Sequence, residues 1–392
     1  MRRAACVTCQ VRGCFACGGF RNGPWRVVSQ AFCIAPPRAS SFTRGVMDEL
    51  NWNGAEALEA RGETQEYLHA CGAAAAAAGF GRRVFLRAVV EVSNYCRENC
   101  LYCGMRRENR ALSRFRAAHD QLAELLIHHR PASITDVNIQ TGEDPIAVRE
   151  VVLPLIRTLR RETPLGLSVC LGTLNSALYD ELKAAGATVY IIKFEVADPQ
   201  FYARMEAPGR WTERIEHIHL LAENGWNVSS GFIAGLPGQS SRQLLASFAL
   251  ARQLPLVGCS VSPFIPGEAT PLAGAPTGDI ELTLNCMAIL RLMRPDWVIP
   301  AVSALNLAGP GNGYRRGLRT GANLVTINLT PPDLRGDYLL YKRDRFIMTE
   351  ERILSALEAQ GLSPSSQSLA EFYRCRPALD GETRPAVAEA AG

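Results

Sequence analysis

The stretch that decides the fold is VSNYCRENCLYCGMRREN, residues 92–109. It holds three cysteines, Cys96, Cys100 and Cys103, spaced C-x3-C-x2-C directly after a strand-like run. Soft thiolate ligands select iron–sulfur clusters, zinc or copper(I). A structural zinc site takes four ligands, and the next candidate, His119, comes 16 residues after the last cysteine. The spacing therefore favours a cluster with one iron left open for a ligand; zinc-binding or simply buried cysteines are the alternatives.

Composition indicates a globular protein with a sizeable core, because 47% of the 392 residues are hydrophobic. No apolar run approaches the roughly 20 residues needed to cross a bilayer, so no membrane partner is predicted. The 13 cysteines are unevenly spread, and beyond Cys103 they occur singly. Such spacing is not a disulfide framework and predicts a reducing compartment.

The formal net charge of +4 comes from one end of the chain. Residues 1–47 contain seven arginines and no acidic residue, so the remainder carries 35 basic against 38 acidic side chains, a net charge of −3. A slightly acidic body gives no electrostatic reason to expect a nucleic-acid partner.

The first 46 residues differ in composition from the rest of the chain. They are rich in arginine, free of acid and resemble an organellar transit peptide. The same segment carries two knuckle-like pairs, Cys6-x2-Cys9 and Cys14-x2-Cys17, which are typical of zinc sites. A dispensable extension and a small metal knuckle both remain open. The predicted location is the cytoplasm, or an organelle stroma or matrix if the segment is a transit peptide.

Strand-like and helical segments alternate through most of the chain. A helical lead-in is predicted for 47–83, a barrel for 84–348, and a C-terminal helix with a flexible tail for 349–392. Eight alternating strands imply an all-parallel sheet, and eight strands in about 250 residues predict a complete (β/α)8 TIM barrel over an open doubly wound sheet. The predicted strands are 84–92, 134–140, 167–171, 188–194, 227–233, 257–263, 298–303 and 323–329.

The carboxyl ends of these strands should carry the chemistry. After the second strand, Gly142 lets backbone approach a ligand closely, and Glu143 suits an ammonium group or, less specifically, an N-capping position. The fourth strand ends in a charged pair, Lys193 and Glu195, which is costly to bury unless paired or ligand-bound. Glu195 suits hydroxyls or an amine and Lys193 a carboxylate; the alternative is a structural Lys–Glu bridge. Arg214 can clamp a carboxylate as a bidentate donor.

Further strand ends suit a nucleotide. The glycine-rich run 231–239 lets backbone groups reach the edge of a base, residues 264–265 offer an apolar shelf for a purine, and two tyrosines after the eighth strand can close over the mouth. The positions predicted to contact a cofactor here are Gly231, Ile233, Phe264, Ile265, Tyr338 and Tyr341.

Together these residues resemble the biotin synthase-like group of the radical SAM superfamily, in particular the FeFe-hydrogenase maturases of the HydE type, with methylornithine synthase next. The resemblance runs from about Phe80 to about Lys342. It is carried by residues 93–104, 113–116, 140–145, 195–199, 230–239, 263–266, 299–301, 319–323 and 328–332.

The resemblance implies a 4Fe–4S cluster, S-adenosylmethionine (SAM) on its open iron, and radical attack on a small-molecule substrate inside the barrel. It also implies an external electron donor such as ferredoxin or flavodoxin. The residues it assigns are Cys96, Cys100 and Cys103 to the cluster, Gln140, Glu195 and Arg214 to SAM, and Tyr338 or Tyr341 to covering it.

Departures from the family pattern fall where a substrate should lie. Phe194 stands where the maturases usually have a histidine, and Val302 and Ser303 stand where they usually have threonines; these three positions are therefore predicted to contact substrate. Cys170 and Cys259 supply at most part of the extra cysteine set that biotin synthase needs. The alternatives are a methylornithine synthase-like or biotin synthase-like enzyme, or a non-catalytic zinc or iron–sulfur scaffold.

Overall fold

The computed structural model describes residues 54–308, 310–343 and 345–375. The segment 1–46 and the tail 376–392 lie outside the described residues, so the predictions made for them stay predictions. The strands are β1 (Arg83–Ser93), β2 (Asp136–Thr141), β3 (Gly166–Cys170), β4 (Val189–Ile191), β5 (Asn227–Ala234), β6 (Gly258–Pro263), β7 (Leu324–Asn328) and β8 (Ser363–Pro364). The helices are α1 (Ala55–Glu59), α2 (Gly62–Phe80), α3 (His119–His128), α4 (Leu153–Glu162), α5 (Ser176–Ala185), α6 (Pro199–Arg204), α7 (Trp211–Glu223), α8 (Ser241–Gln253), α9 (Ile280–Met293), α10 (Leu305–Ala308), α11 (Gly313–Leu318), α12 (Pro332–Arg335), α13 (Glu350–Glu358) and α14 (Leu369–Cys375). A short helical turn (Pro145–Ala147) and a π-helix (Val148–Val152) lead directly into α4.

Seven parallel strands form one curled sheet in the order β6-β5-β4-β3-β2-β1-β7. β1 lies inside this order and is buried along almost its whole length, as expected for a parallel strand covered on both faces. The two residues of β8 pair with the beginning of β1. Because all strands point the same way, their carboxyl ends meet at one edge, and the cysteine loop leaves β1 there.

The complete eight-stranded barrel predicted from the sequence is not confirmed. The predicted strand 298–303 forms no ladder and makes two isolated parallel bridges, Gly258↔Val298 and Pro300↔Leu324. The reason is Pro300, which has no N–H to donate and therefore interrupts strand pairing. The architecture shown is a parallel α/β fold with a seven-stranded sheet, in which this irregular segment lies between β6 and β7.

The lead-in helix α2 packs tightly on the body. A Cβ on Gly72 would lie 2.3 Å from Thr320 O and 3.3 Å from Ala288 Cα, so only glycine allows this approach. Below it, the fully buried Arg291 of α9 donates to the carbonyls of Pro295, Trp297 and Gly321, each at 2.8 Å. These bonds fix the chain on both sides of residues 298–303. Among the described residues, no helix is both long and apolar enough to cross a membrane.

Candidate functional site

The cysteine loop is held in shape by Asn94 and Arg114. Asn94 is fully buried, and its amide nitrogen donates to Ser113 O and to Asp337 O, both at 2.7 Å. Its amide oxygen accepts from Phe115 N at 2.8 Å. The guanidinium of Arg114 donates to the carbonyls of Asn94, Met105 and Arg106 within the loop. The shape of the loop is thus set by hydrogen bonds within the chain that do not involve the thiols.

The three thiols of this loop are near neighbours in a protected environment. Cys100 is 6% exposed, and Cys96 and Cys103 are partly exposed. Burial raises the pKa of all three thiols, that of Cys103 to about 12. After burial, the charges of Cys103 and Cys96 raise the pKa of Cys100 further. Binding of a metal centre to these thiols therefore requires that it displace their protons.

This donor set fits an iron–sulfur cluster. Cys96 Sγ accepts a hydrogen bond from Glu143 N at 3.4 Å, the kind of bond that tunes cluster sulfurs. In the described part of the chain, no group of three or more His, Cys, Asp or Glu is arranged to hold a single metal ion. A cubane does not need that arrangement, because each thiolate binds a different iron atom.

Gly142 brings the loop after β2 against the cysteine loop. Its N–H donates to Ser93 O at 2.9 Å. A Cβ at this position would lie 2.2 Å from Tyr95 O and 2.9 Å from Cys96 Cβ. The predicted close approach at Gly142 is therefore to the cysteine loop itself.

Gly142→Ala should displace Cys96. We expect the free energy of unfolding to fall by about 1–3 kcal/mol, the usual cost of overpacking, and the purified protein to retain less iron. Urea unfolding and iron analysis measure both. Gly274→Ala is the matched control, because a Cβ there meets nothing within 4 Å. Equal iron content in the two variants would show that the close approach does not position Cys96.

Glu143 and Arg214 form a buried ion pair beside the cysteines. Arg214 Nη2 lies 2.9 Å from Glu143 Oε1, and the two side chains are 4% and 7% exposed. Glu143 also accepts from Arg97 at 3.1 Å and from Thr173 Oγ1 at 3.1 Å. Its carboxylate is thus occupied by guanidinium groups, unlike the open acceptor for an ammonium predicted from the sequence.

Arg214 keeps one donor free. Its Nε is buried and has no hydrogen-bond partner among the described residues. The Tyr202 hydroxyl donates to Pro208 O at 2.5 Å and keeps its lone pairs for the nearby guanidinium, but the Nε atom itself has no acceptor among the described residues. A buried, unsatisfied donor costs free energy unless a ligand supplies the acceptor. Arg214 therefore suits the carboxylate that the sequence predicts for it.

Lys193 and Glu195 lie just beyond β4 and do not pair with each other. No salt bridge joins them within the described residues, although, after burial, each has the largest charge effect on the pKa of the other, so the structural Lys–Glu bridge considered from the sequence is not formed as a direct contact. Lys193 Nζ donates to Ser262 Oγ at 3.3 Å, whereas the Glu195 carboxylate has no hydrogen-bond partner in the described part of the chain. Glu195 adopts a left-handed conformation with φ +59°, a strained state for a non-glycine residue that is typical of functional sites.

The backbone groups of the glycine-rich run are already engaged. Gly231 O accepts from Glu195 N, and Ile233 N donates to Glu195 O, both at 3.0 Å. These bonds hold Glu195 in its left-handed conformation rather than presenting an open edge to a base. Gly231 is required because a Cβ there would lie 2.1 Å from Ser260 Oγ.

The predicted purine shelf is an apolar cluster beside the last cysteine. Ile233 and Phe264 belong to one small buried cluster, and Tyr102 packs against it. Ile265 is buried next to Phe264 and borders a separate surface pocket. Burial raises the pKa of Tyr102 well above its usual value, and its hydroxyl has no partner among the described residues.

A cavity of about 190 Å³ with a mixed apolar and polar lining is bordered by Gln140 and Lys193. Alternate residues from all seven strands line it, together with residues 298 and 300–304. TIM-barrel interiors are normally filled by bulky branched side chains, so an interior cavity that also carries charged and polar side chains suits a ligand. Predicted positions on the lining are Gln140, Lys193, Val302, Ser303 and Tyr341. Polar lining residues that the motifs missed include Arg87, Glu91, Asn138, Asn328 and Arg345.

Phe194 does not line this cavity. It is fully buried in the main core and stacks on Phe232, with ring centroids 5.6 Å apart. Successive residues of an extended chain point to opposite faces, so a chain that turns Lys193 inward turns Phe194 outward. The predicted substrate contact at Phe194 is therefore wrong. Tyr338 also lies outside the lining; it is buried in a cluster against which Cys103 packs.

Comparisons with known proteins agree with this site. The model of the Radical SAM superfamily matches residues 90–251. The "[FeFe] hydrogenase maturase subunit HydE" of Thermotoga maritima is 33% identical over 261 residues, which are 67% of this chain and 74% of that protein. The "3-methylornithine synthase" of Methanosarcina barkeri is 27% identical over 74% of this chain and 82% of its own length. The crystal structure of methylornithine synthase (PylB) superposes with a TM-score of 0.73 at 23% identity, covering 86% of this chain and 99% of that one. The order of resemblance predicted from the motifs is confirmed.

Proposed function

Because this chain belongs to the radical SAM superfamily, whose members use a 4Fe–4S cluster and SAM, we propose that it acts as a hydrogenase maturase of the HydE type. When bound, the cluster and SAM supply a 5′-deoxyadenosyl radical by reductive cleavage of SAM. The observation that carries the proposal is the convergence of three groups: the thiol trio, the free donor of Arg214 and the unpaired carboxylate of Glu195. Burial and the other two thiols have the largest effects on the pKa of the Cys100 thiol. Among the smaller effects, the charge of Glu195 raises this pKa and the charge of Arg214 lowers it.

Each of these groups is proposed to contact a different part of the cluster and SAM. Cys96, Cys100 and Cys103 bind iron, Arg214 Nε donates to the SAM carboxylate, and Glu195 accepts from the ribose hydroxyls or the amine. Gln140, on the cavity wall, contacts SAM from the β2 side. Tyr102 and the apolar cluster around Phe264 supply the surface against which the adenine packs.

The cavity is the proposed substrate chamber. Lys193 makes no salt bridge, and neither does Arg87, whose Nε is buried without a partner among the described residues. The charges of Glu195 and Asp136 act on Lys193 and Arg87 respectively, but neither acid forms a salt bridge with them within the described residues. Both cations are therefore available to a substrate that carries negative charge. We propose a small iron-containing precursor of the hydrogenase cofactor, with an external carrier such as ferredoxin or flavodoxin supplying the electron. Bridges on both sides of residues 298–300 support a further proposal, that this segment completes the barrel around the chamber.

The test begins with the reconstituted, reduced protein. We expect about four irons per chain, an EPR signal that changes when SAM is added, and 5′-deoxyadenosine as a product. An EPR signal indifferent to SAM would contradict the proposal. For the finer function, expression in a host that lacks its own HydE should restore FeFe-hydrogenase activity. Formation of 3-methylornithine without hydrogenase activity would favour the methylornithine synthase-like alternative instead.

A further inference from the structure

Glu91, near the carboxyl end of β1, is a buried carboxylate that borders the cavity. Its side chain is 2% exposed, and its two oxygens accept parallel hydrogen bonds from Nη1 and Nη2 of Arg345, each at 2.9 Å. Arg345 Nη2 also donates to Arg335 O at 2.7 Å. On the backbone side, Glu91 N donates to Thr330 Oγ1 at 2.9 Å. A bidentate pair fixed in this way sets both the position and the plane of the carboxylate.

The fixed carboxylate in turn holds Gln140. Glu91 and Gln140 are opposite one another in the β1–β2 ladder. Gln140 Nε2 donates to Glu91 Oε1 at 3.4 Å, and its Oε1 accepts from Asn138 Nδ2 at 3.3 Å. The amide of Gln140 is thus oriented from both ends, and one of those ends depends on Arg345.

Arg345 lies in the segment after β7 that borders the cavity, together with Leu340 and Tyr341. Upstream, Gly104 N donates to Leu340 O at 3.4 Å and Glu268 N donates to Tyr341 O at 2.7 Å, so this part is held by backbone bonds. Residues 345–348 all line the cavity as well. For residues 345–348, the hydrogen bonds that the structure shows are those of the Arg345 guanidinium.

We propose that Glu91 and Arg345 are positioning residues: Arg345 fixes the Glu91 carboxylate, which orients the Gln140 amide toward SAM and ties residues 345–348 over the substrate chamber. This inference rests on the proposed function, because Gln140 acts through its contact with SAM. The inference adds that the position of residues 345–348 beside the chamber is coupled to the affinity of the protein for SAM. Neither residue needs to touch the reacting atoms.

The experiment measures SAM affinity by EPR titration of the reconstituted full chain. Arg345→Gln and Glu91→Gln should each weaken binding by about tenfold, within the range of direct couplings. Arg345→Lys should recover part of that loss, because lysine keeps the positive charge but cannot make the two parallel hydrogen bonds to Glu91. Arg343→Gln is the matched control: this arginine also follows Tyr341, but its side chain is 48% exposed and bonds the half-buried Asp337. It should bind SAM as tightly as the unmodified protein.

Two further results decide between coupling and simple damage to the fold. In a Gln140→Ala background, Arg345→Gln should cost little additional affinity; a full additional tenfold loss would overturn the proposed route through Gln140. Chymotrypsin cleavage after Phe346 should rise at least about fivefold in Arg345→Gln and not in Arg343→Gln, because local opening controls cleavage. Equal cleavage would overturn the tie over the chamber. The cleavage result needs no SAM chemistry, so it stands apart from a failure of the proposed function itself.

Discussion

Cys100→Ala should yield a folded protein without an iron–sulfur cluster. Cys100 is the most buried of the three thiols at 6% exposure, and its loss leaves two thiolates for a cluster that takes three from this chain. We expect iron to fall from about four per chain to below one, and the EPR signal and 5′-deoxyadenosine formation to disappear. The fold should survive, because Asn94 and Arg114 hold the loop through hydrogen bonds that do not involve the thiol.

The matched control for this variant is Cys286→Ala. Cys286 is fully buried in α9 within the main core, so the substitution costs packing and leaves the cluster loop intact. Iron analysis, EPR and circular dichroism on both variants separate loss of a ligand from loss of structure. An intact cluster in Cys100→Ala would refute the assignment of the thiol trio, and loss of iron from Cys286→Ala would show that iron content merely follows stability.

The parts of the site that could be predicted from sequence are those set by short-range spacing. Three thiols within eight residues must lie close together wherever the chain goes, and a loop that follows a strand of a parallel sheet must lie at its carboxyl edge. Lys193 and Glu195 were also detectable, because charges inside an apolar run require a partner or a ligand. The same signal is present at Arg87 and Glu91, which are charged residues within the apolar strand β1.

Phe194 lies just beyond the fourth strand, where the sequence predicts that strand to end, but its side chain lies in the core and not at the predicted substrate site. The resemblance predicts a substrate contact here, because Phe194 stands where the maturases usually have a histidine. Side chains alternate along an extended chain, so Lys193, which lines the cavity, turns the next residue, Phe194, to the opposite face. In this chain the residue belongs to the core, where Phe194 stacks on Phe232.

The rest depends on contacts between distant segments. Glu91 and Arg345 are 254 residues apart, and Glu143 and Arg214 are 71 apart. Arg345 lies in a segment without secondary structure, where no periodicity predicts the direction of a side chain. The sequence does not identify the partner of Glu143 either, because an acidic residue after a strand can bind a ligand, cap a helix or pair with a buried arginine. Only the folded chain shows that Glu143 is occupied and that Arg214 has one free donor.

Arg214→Met should strongly weaken SAM binding, because it removes the free Nε donor. Without the guanidinium, Glu143 keeps Arg97 and Thr173 as partners, so no buried charge is stranded and the cluster should assemble with unchanged iron. SAM loses the partner of its carboxylate in a desolvated site, which costs about 2–4 kcal/mol, or roughly 30- to 1,000-fold in affinity. EPR titration with SAM measures the loss.

Arg210→Met serves as the control for Arg214→Met, since Arg210 lies at the start of the same helix but is 77% exposed and pairs with Glu213 on the surface. Exposed pairs of this kind contribute little, so SAM affinity should stay within about twofold. If Arg214→Met binds SAM as well as Arg210→Met does, its Nε is not the carboxylate donor. If Arg214→Met loses iron, the arginine acts on the cluster loop through Glu143 and Cys96, and the ion pair rather than the free donor is its function.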